Sequence, residues 1–394
     1  MTKWYGNGYS EIPFAWHIDN RDYDNSYTWT IDYQTEVFCQ PQEIEYIVER
    51  LEYILWQIVK SEDKLLKDIS IIPLEEQKKL LLDFNNTAAA YPKDKCVHEL
   101  FTEQAKRTPE RTALVFEDKK FTYRELDEMS NSLAVSLRDR GVGRGDKVAV
   151  LLKRNEAVIL TQLAVLKNGA VFIPVDSRYP KERIKYILDE SKAKIIIKNA
   201  DNPLVFENMC NIEQIDMTGI SDIVNADANP EDICYIIFTS GSTGKPKGCT
   251  LTGKGLVNFC INNNILESCN RLDRQVCISV NTISFDFFIA ESLMPLLNGY
   301  TVVLTSEEES TNQALFKETV LKTQANIIQT TPTRYKLYFD DKEDISYTKQ
   351  FDVMVASGEA LPFDLLKKFV KMRQVISVIW IKTDFLLLLD GRRI

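Results

Sequence analysis

The sequence predicts an α/β protein built around a doubly wound, parallel-rich sheet, and three observations carry that expectation. From Cys96 onward short apolar runs alternate with stretches of helical length, as strand–helix–strand units do. Two of the helical stretches end at glycine, Gly141 and Gly169, a stop signal for helices. The run Ile233 to Phe238, rich in β-branched and aromatic side chains, reads as a buried strand that opens into the glycine-rich stretch Thr239 to Gly248.

Taken in order, the chain begins with a small piece. Tyr27 to Tyr33 alternates like a strand. The preceding DNRDYDN is a solvated turn rather than a calcium loop, because Tyr27 and Tyr33 stand where glycine and an acid are needed. From Glu43 to Val59, Ile44, Ile47, Val48, Leu51, Ile54, Leu55 and Ile58 recur at helical spacing, so an amphipathic helix is expected. Ile69 to Lys95 reads as a linker. Beyond it the pattern gives a helix over His98–Lys106 and a hairpin from Thr112–Phe116 and Lys120–Tyr123. A long helix over Tyr123–Arg140, a strand over Lys147–Leu152, a helix over Ala157–Asn168 and a strand over Ala170–Val175 follow. Next come a helix over Pro180–Lys192, with proline at its start, and a strand over Lys194–Ile197.

Composition bounds the function. A length of 394 residues suits two or three domains, or one large domain with appendages. Hydrophobic residues make up 44% and charged residues 27%, as in folded soluble proteins. A formal charge of −9 argues against a nucleic-acid surface. Eight cysteines form no C-x-x-C pair, so neither a zinc site nor a redox motif is indicated, and a reducing compartment is expected. The N-terminus MTKWYGNGYSEIPF has no apolar signal segment, and no run approaches bilayer length. A cytoplasmic location without membrane contact is therefore expected. With only His17 and His98, histidine chemistry is nearly excluded.

The stretch Thr239–Gly248 carries the chemistry. Gly241, Gly244 and Gly248 let backbone N–H groups approach a ligand closely. Hydroxyls of Thr239, Ser240, Ser242 and Thr243, grouped with Lys245 and Lys247, make a cradle suited to phosphate oxygens. The spacing is neither that of the Walker loop nor that of the dinucleotide G-x-G-x-x-G. An anonymous loop of this composition is a flexible turn between two strands; the buried strand before it, the lysines and Pro246 favour phosphate binding.

T-S-G-S-T-G-K-P-K-G resembles the phosphate-binding signature of adenylate-forming enzymes, and its flanks are similar to the amino-acid-activating branch found in non-ribosomal peptide synthetases. Phe121-Thr122-Tyr123-Arg124-Glu125-Leu126 and Leu166 to Asp176 are similar to two further adenylation motifs, both structural in that family. The resemblance implies that ATP and an amino acid react to aminoacyl-AMP and pyrophosphate. Thr239, Ser240, Gly241, Ser242, Thr243, Gly244, Lys245 and Lys247 would hold the ATP phosphates, with Mg2+ and lysines offsetting the developing charge.

The resemblance also marks a substrate pocket. Asp286 lies between Phe285 and Phe287, and an unpaired buried carboxylate is costly. Read alone, it caps a helix; in the family its counterpart pairs with the α-ammonium of the amino acid. Serine is usual in the family where Phe288 stands here, which leaves the pocket floor open. By position relative to the motifs, Phe287, Ala290, Gln329, Val355 and Ser357 would line the side-chain pocket, with Gln329 offering an amide. A small or medium polar side chain is expected.

Residues 1–70 resemble the C-terminal end of a condensation domain, without its double-histidine motif, and 71–95 the family's connector. Residues 96–380 resemble the larger part of an adenylation domain, and 381–394 match nothing expected. The family's N-x-Y-G-P-T-E segment, ribose aspartate, C-terminal lysine and carrier-domain serine motif do not occur. The resemblance therefore implies little or no turnover by this polypeptide, an unpaired sheet edge with poor solubility, and reliance on other synthetase modules, with phosphopantetheine only on a separate carrier domain. Two other classes remain open: an acyl-CoA or aryl-acid ligase, against which Asp286 counts, and a non-catalytic remnant.

Overall fold

The computed structural model describes residues 13–19, 28–34, 37, 41–61, 63–217, 227–239, 245–263, 265–339, 344–371, 375–380 and 385–389. The chain divides into two compact units, Met1–Ala89 and Ala90–Ile394.

In the first unit, β1 (Phe14–Asp19) pairs antiparallel with β2 (Thr28–Tyr33), Phe14 facing Tyr33 and Asp19 facing Thr28. The rings of Trp16 and Trp29 meet edge-on at 4.9 Å, a cross-strand aromatic contact. The expected helix is present as Pro41–Lys60. The Arg50 guanidinium donates to the Glu76 carboxylate, Nε to Oε2 at 3.1 Å. The Gln57 side chain donates to Ser70 O at 2.8 Å and accepts from Ser70 N at 3.0 Å. These contacts fold the first part of the expected linker, the short helix Leu74–Lys78 included, back onto the long helix. The division at 89 thus falls inside the stretch read from sequence as a connector.

The second unit holds two sheets. In chain order its strands are β3 (Thr112–Phe116), β4 (Lys119–Thr122), β5 (Lys147–Leu151), β6 (Val171–Pro174), β7 (Ile195–Lys198), β8 (Met209–Asn211), β9 (Ile233–Thr239) and β10 (Lys247–Thr252). There follow β11 (Val276–Ser279), β12 (Thr301–Leu304), β13 (Ile327–Thr330), β14 (Val353–Ala356), β15 (Val375–Trp380) and β16 (Phe385–Leu389). One sheet runs β10-β9-β6-β5-β7-β8 and the other β16-β15-β14-β13-β11-β12-β3-β4. All interior pairings are parallel, and antiparallel neighbours occur only at the edges, β10 on β9, β16 on β15 and β4 on β3. Five residues of the unmatched tail add β16 beside β15, since an apolar run next to an open ladder satisfies its backbone by pairing. The expected open edge of this sheet is then β16 itself, which among the described residues pairs on one side.

Parallel sheets need cover on both faces, and three apolar clusters supply it. The largest is shared by the two sheets. It joins Val148, Phe172 and Tyr235 of the first to Leu114, Val302 and Val355 of the second through the helices Val97–Arg107, Tyr123–Asp139, Glu156–Lys167 and Gly253–Ile261. The outer clusters pack Lys181–Ser191 on the six-stranded sheet, and Gln313–Thr323, Pro332–Tyr338 and Phe363–Lys371 on the other. Glu156–Lys167 has no polar face; from Ala157 to Lys167 every residue is buried, as a helix between two sheets must be.

That burial includes a lysine. Lys167 Nζ donates to Asp127 Oδ1 at 2.7 Å, Asp127 O at 2.9 Å, Ser130 Oγ at 2.8 Å and Asn131 Oδ1 at 2.6 Å. Burial pushes its pKa down to about 8, and Asp127 opposes the shift. Removing one partner strands the other acceptors, so Lys167→Met is expected to cost about 3 kcal/mol in urea unfolding at neutral pH. The folded pKa lies below the unfolded value of about 10.4, so between the two the unfolded chain binds more protons and stability rises with pH. The stability gap between wild type and Lys167→Met should therefore widen from about pH 8 toward pH 10.

Candidate functional site

The β9–β10 hairpin displays the glycine-rich loop at its tip. Thr239 faces Lys247 in the antiparallel register, and Thr239, Lys245 and Lys247 are exposed. Ser240, Gly241, Ser242, Thr243 and Gly244 lie outside the described residues. A Cβ on Gly248 would come within 3.2 Å of the Ile236 side chain and 3.3 Å of the Phe238 ring. Glycine there lets β10 lie close against β9.

The pocket residues converge at the carboxyl ends of β13 and β14, in the other sheet. Gln329 and Val355 are register partners, and Thr331 and Ser357 directly follow their strands. Asp286 precedes the short helix Phe287–Glu291. The rings of Phe285 and Phe287 meet at right angles, 4.8 Å apart. Gly358 sits against both: an added Cβ would lie 3.2 Å from Phe287 Cε2, 3.6 Å from Thr331 Cγ2 and 3.7 Å from Phe285 Cζ. Phe287 thus packs at the carboxyl end of β14, beside Ser357 and Gly358, while Gln329 on β13 lies in register with Val355. Ala290 is buried in the central cluster along with Val355.

Asp286 is not the helix cap that it reads as in isolation. It is exposed, and its side chain does not cap the helix. Its carboxyl is nevertheless raised by desolvation, with the backbone N–H groups of Phe287 and Asp286 pulling the other way. No basic group among the described residues contributes to that shift. Phe288, where the resembling family has serine, is fully buried in the central cluster with the Arg154 guanidinium 5.7 Å from its ring. The departure therefore enlarges the core. Among the described residues the buried hydroxyls of Tyr235 and Ser357 meet no hydrogen-bond partner.

Under the pocket lies a polar network that the sequence did not flag. Arg154 donates from Nε to Thr305 O at 2.8 Å, from one amino group to Ser279 Oγ at 2.7 Å, and from the other to Asn281 O. Glu291 accepts from Ser279 Oγ at 3.0 Å, Val280 N at 3.1 Å, Asn281 N at 3.1 Å and Asn281 Nδ2 at 2.7 Å. Burial lowers the Arg154 pKa to about 10 and raises that of Glu291, each opposed by the charge of the other. A lone glutamate closing the apolar run Phe287–Ala290 was the available signal. Beside the network, a cleft of about 600 Å³ is lined by Arg154, Asp176, Arg178, Thr282 and Glu307, among others. Arg178 and Thr282 both bind the Asp176 carboxylate there.

A family model for AMP-binding enzymes matches residues 101–380, and the chain belongs to that family. Among curated proteins it is similar to bacitracin synthase 3 of Bacillus licheniformis, 34% identical over 327 residues, 82% of this chain and 5% of that protein. It is also similar to tyrocidine synthase 2 of Brevibacillus parabrevis, 32% identical over 364 residues, 91% of this chain and 10% of that protein. The chain thus spans a tenth or less of the length of these relatives. Among solved structures, the peptide synthetase FmoA3 bound to α-methyl-L-serine-AMP superposes with a TM-score of 0.80 at 19% identity, over 94% of this chain and 43% of that one. The N-terminal subdomain of Klebsiella oxytoca NpsA, in complex with 3-hydroxybenzoyl-AMSN, gives 0.65 at 24% identity, over 73% and 72%. These structures share the fold.

Gly358 packs closely against the Phe287 ring. Its φ of +82° is unfavourable for a side chain, and an added Cβ would press on that ring at 3.2 Å. Gly358→Ala is expected to destabilise by about 1–2 kcal/mol from the backbone alone, read as a lower urea midpoint at an unchanged slope.

Proposed function

We propose that residues 96–380 are an amino-acid adenylation unit of non-ribosomal peptide synthesis, which joins an amino-acid carboxylate to the α-phosphate of ATP and releases pyrophosphate. The observation that supports this most is Asp286, an exposed, partly desolvated carboxylate without a cationic partner among the described residues, between the packed rings of Phe285 and Phe287. An α-ammonium would complete it. Acids without an ammonium, such as aryl or fatty acids, would leave that charge uncompensated.

Lys245, Lys247 and Thr239, with Ser240–Gly244 between them, would hold the β- and γ-phosphates of ATP. No group of three or more acids, histidines or cysteines among the described residues could hold a metal ion. Mg2+ would come with the nucleotide phosphates, since it is commonly held by these and one or two carboxylates. Phe287, Ala290, Gln329, Val355 and Ser357 would meet the substrate side chain. Phe287 limits its size, while Gln329 and the unpartnered Ser357 hydroxyl favour a small polar group.

We assign residues 1–70 to the C-terminal remnant of a condensation domain, 71–95 to a linker and 381–394 to a tail that does not match the adenylation pattern. The partners are other synthetase modules and a phosphopantetheine-bearing carrier domain, in the cytoplasm. Among the described residues no helix is long and apolar enough to cross a membrane.

The test is ATP–pyrophosphate exchange and equilibrium ATP binding, against the twenty amino acids and a set of aryl acids. Exchange, or amino-acid-dependent tightening of ATP, should occur with small polar amino acids and disappear in Asp286→Asn. Lys245→Ala should weaken ATP roughly tenfold or more, the loss of one charge-assisted contact of about 1.5–3 kcal/mol. A response to aryl acids alone would overturn the reading.

A further inference from the structure

The segment from Asn281 to Glu291 is held shut at its two ends. Asn281 N donates to Glu291 Oε2 at 3.1 Å, and Asn281 Nδ2 donates to Glu291 Oε1 at 2.7 Å. Between these ends lie Phe285, Asp286 and Phe287. The helix Phe287–Glu291 has five residues, too few to persist by its own hydrogen bonds. Its position must come from its anchors.

Asn281 is the hub of those anchors. It is 4% exposed, and each of its polar groups is engaged. Besides the two bonds to Glu291, Nδ2 donates to Gln329 O at 3.0 Å, Oδ1 accepts from Thr330 Oγ1 at 3.2 Å, and the backbone carbonyl accepts from Arg154. One side chain thus joins the loop that carries Asp286 to the strand that carries Gln329. Arg154 offsets the Glu291 charge from beneath through Ser279 Oγ. Further along the segment, Thr282 Oγ1 donates to Asp176 at 2.7 Å and Ser284 Oγ bonds Tyr179 Oη at 2.8 Å. Those contacts fix the side of the loop toward the six-stranded sheet.

We propose that Asn281 and Glu291 are positioning residues that set the Asp286 carboxylate against the Gln329 strand, and so determine how strongly the site selects ligands bearing an α-ammonium. This rests on the adenylating reading above. Loss of the clasp lets the Asp286 loop relax while the nucleotide loop, on the other sheet, is untouched. The ammonium contact should weaken with no change in nucleotide affinity.

The test is calorimetry on the full chain with three probes: ATP, the seryl sulfamoyl adenosine, and its counterpart lacking the amino group. Wild type should prefer the amino form. Asn281→Ser, which removes the side-chain amide but leaves both buried charges, should reduce that preference about tenfold with ATP affinity unchanged. An unchanged preference overturns the proposal. Hydrogen exchange in the segment 282–291 gives a readout that needs no ligand. Faster exchange confined to that segment in Asn281→Ser, and in Glu291→Gln should the first variant lose ATP binding through misfolding, supports the clasp, and unchanged exchange overturns it. Failure of wild type to bind ATP would sink the adenylating reading, while exchange would still decide the clasp.

Discussion

The guanidinium of Arg154 joins the two sheets of the second unit where their chemistry-bearing ends meet. The residue follows β5 of the six-stranded sheet, and its donors reach Thr305, Asn281 and Ser279, just past or at the ends of β12 and β11 in the other. A cation this deeply buried is tolerated only with near-complete hydrogen bonding and an opposing charge. Glu291 supplies the charge, and with it comes the helix that follows Asp286. The strand ends, the Asp286 loop and β13 are thereby fixed by one connected set of polar groups.

The shared apolar layer explains why such a network can exist. Helix Glu156–Lys167 is buried on every side, so the two sheets are held apart at helix thickness over one continuous core. Polar side chains at the carboxyl ends of the strands are then desolvated without being crushed. In open α/β sheets ligands bind outside those same ends. The phosphate hairpin and the Asp286 segment are contributed by different sheets, and Tyr235 of β9 shares the central cluster with Ile283, Phe288, Ile289 and Ala290 of that segment.

Much of this was legible in the sequence. From Val97 to Lys198 the helix and strand periods placed every element within a residue or two, because most strands there are apolar runs and glycine stops two of the helices. The helices after Ser191, the one following Asp286 apart, were not read from the sequence. The antiparallel hairpin around the glycine-rich loop was half legible: Ile233–Phe238 announced itself, whereas Lys247–Thr252 is polar and exposed and reads as loop. Strand β1 was passed over because its pairing partner, and not its own short pattern, makes it a strand. Phe288 read as an anomaly in a pocket motif and proved to be core. Asn281 carried no signal, since nothing local marks an asparagine whose partners are 10 and 48 residues away.

By itself the sequence determined the α/β class, the family, the phosphate-loop signature and the candidate pocket positions, since all of these are written in local periods and contiguous motifs. Tertiary structure alone decided that Asp286 is exposed and, among the described residues, neither caps the helix nor has a cationic partner, that Gly358 packs against Phe287, and that Arg154, Asn281 and Glu291 form one network. The reason is physical. Hydrogen-bond satisfaction and desolvation depend on which distant groups share a buried space, and that is settled only when the two sheets close on their common layer of helices.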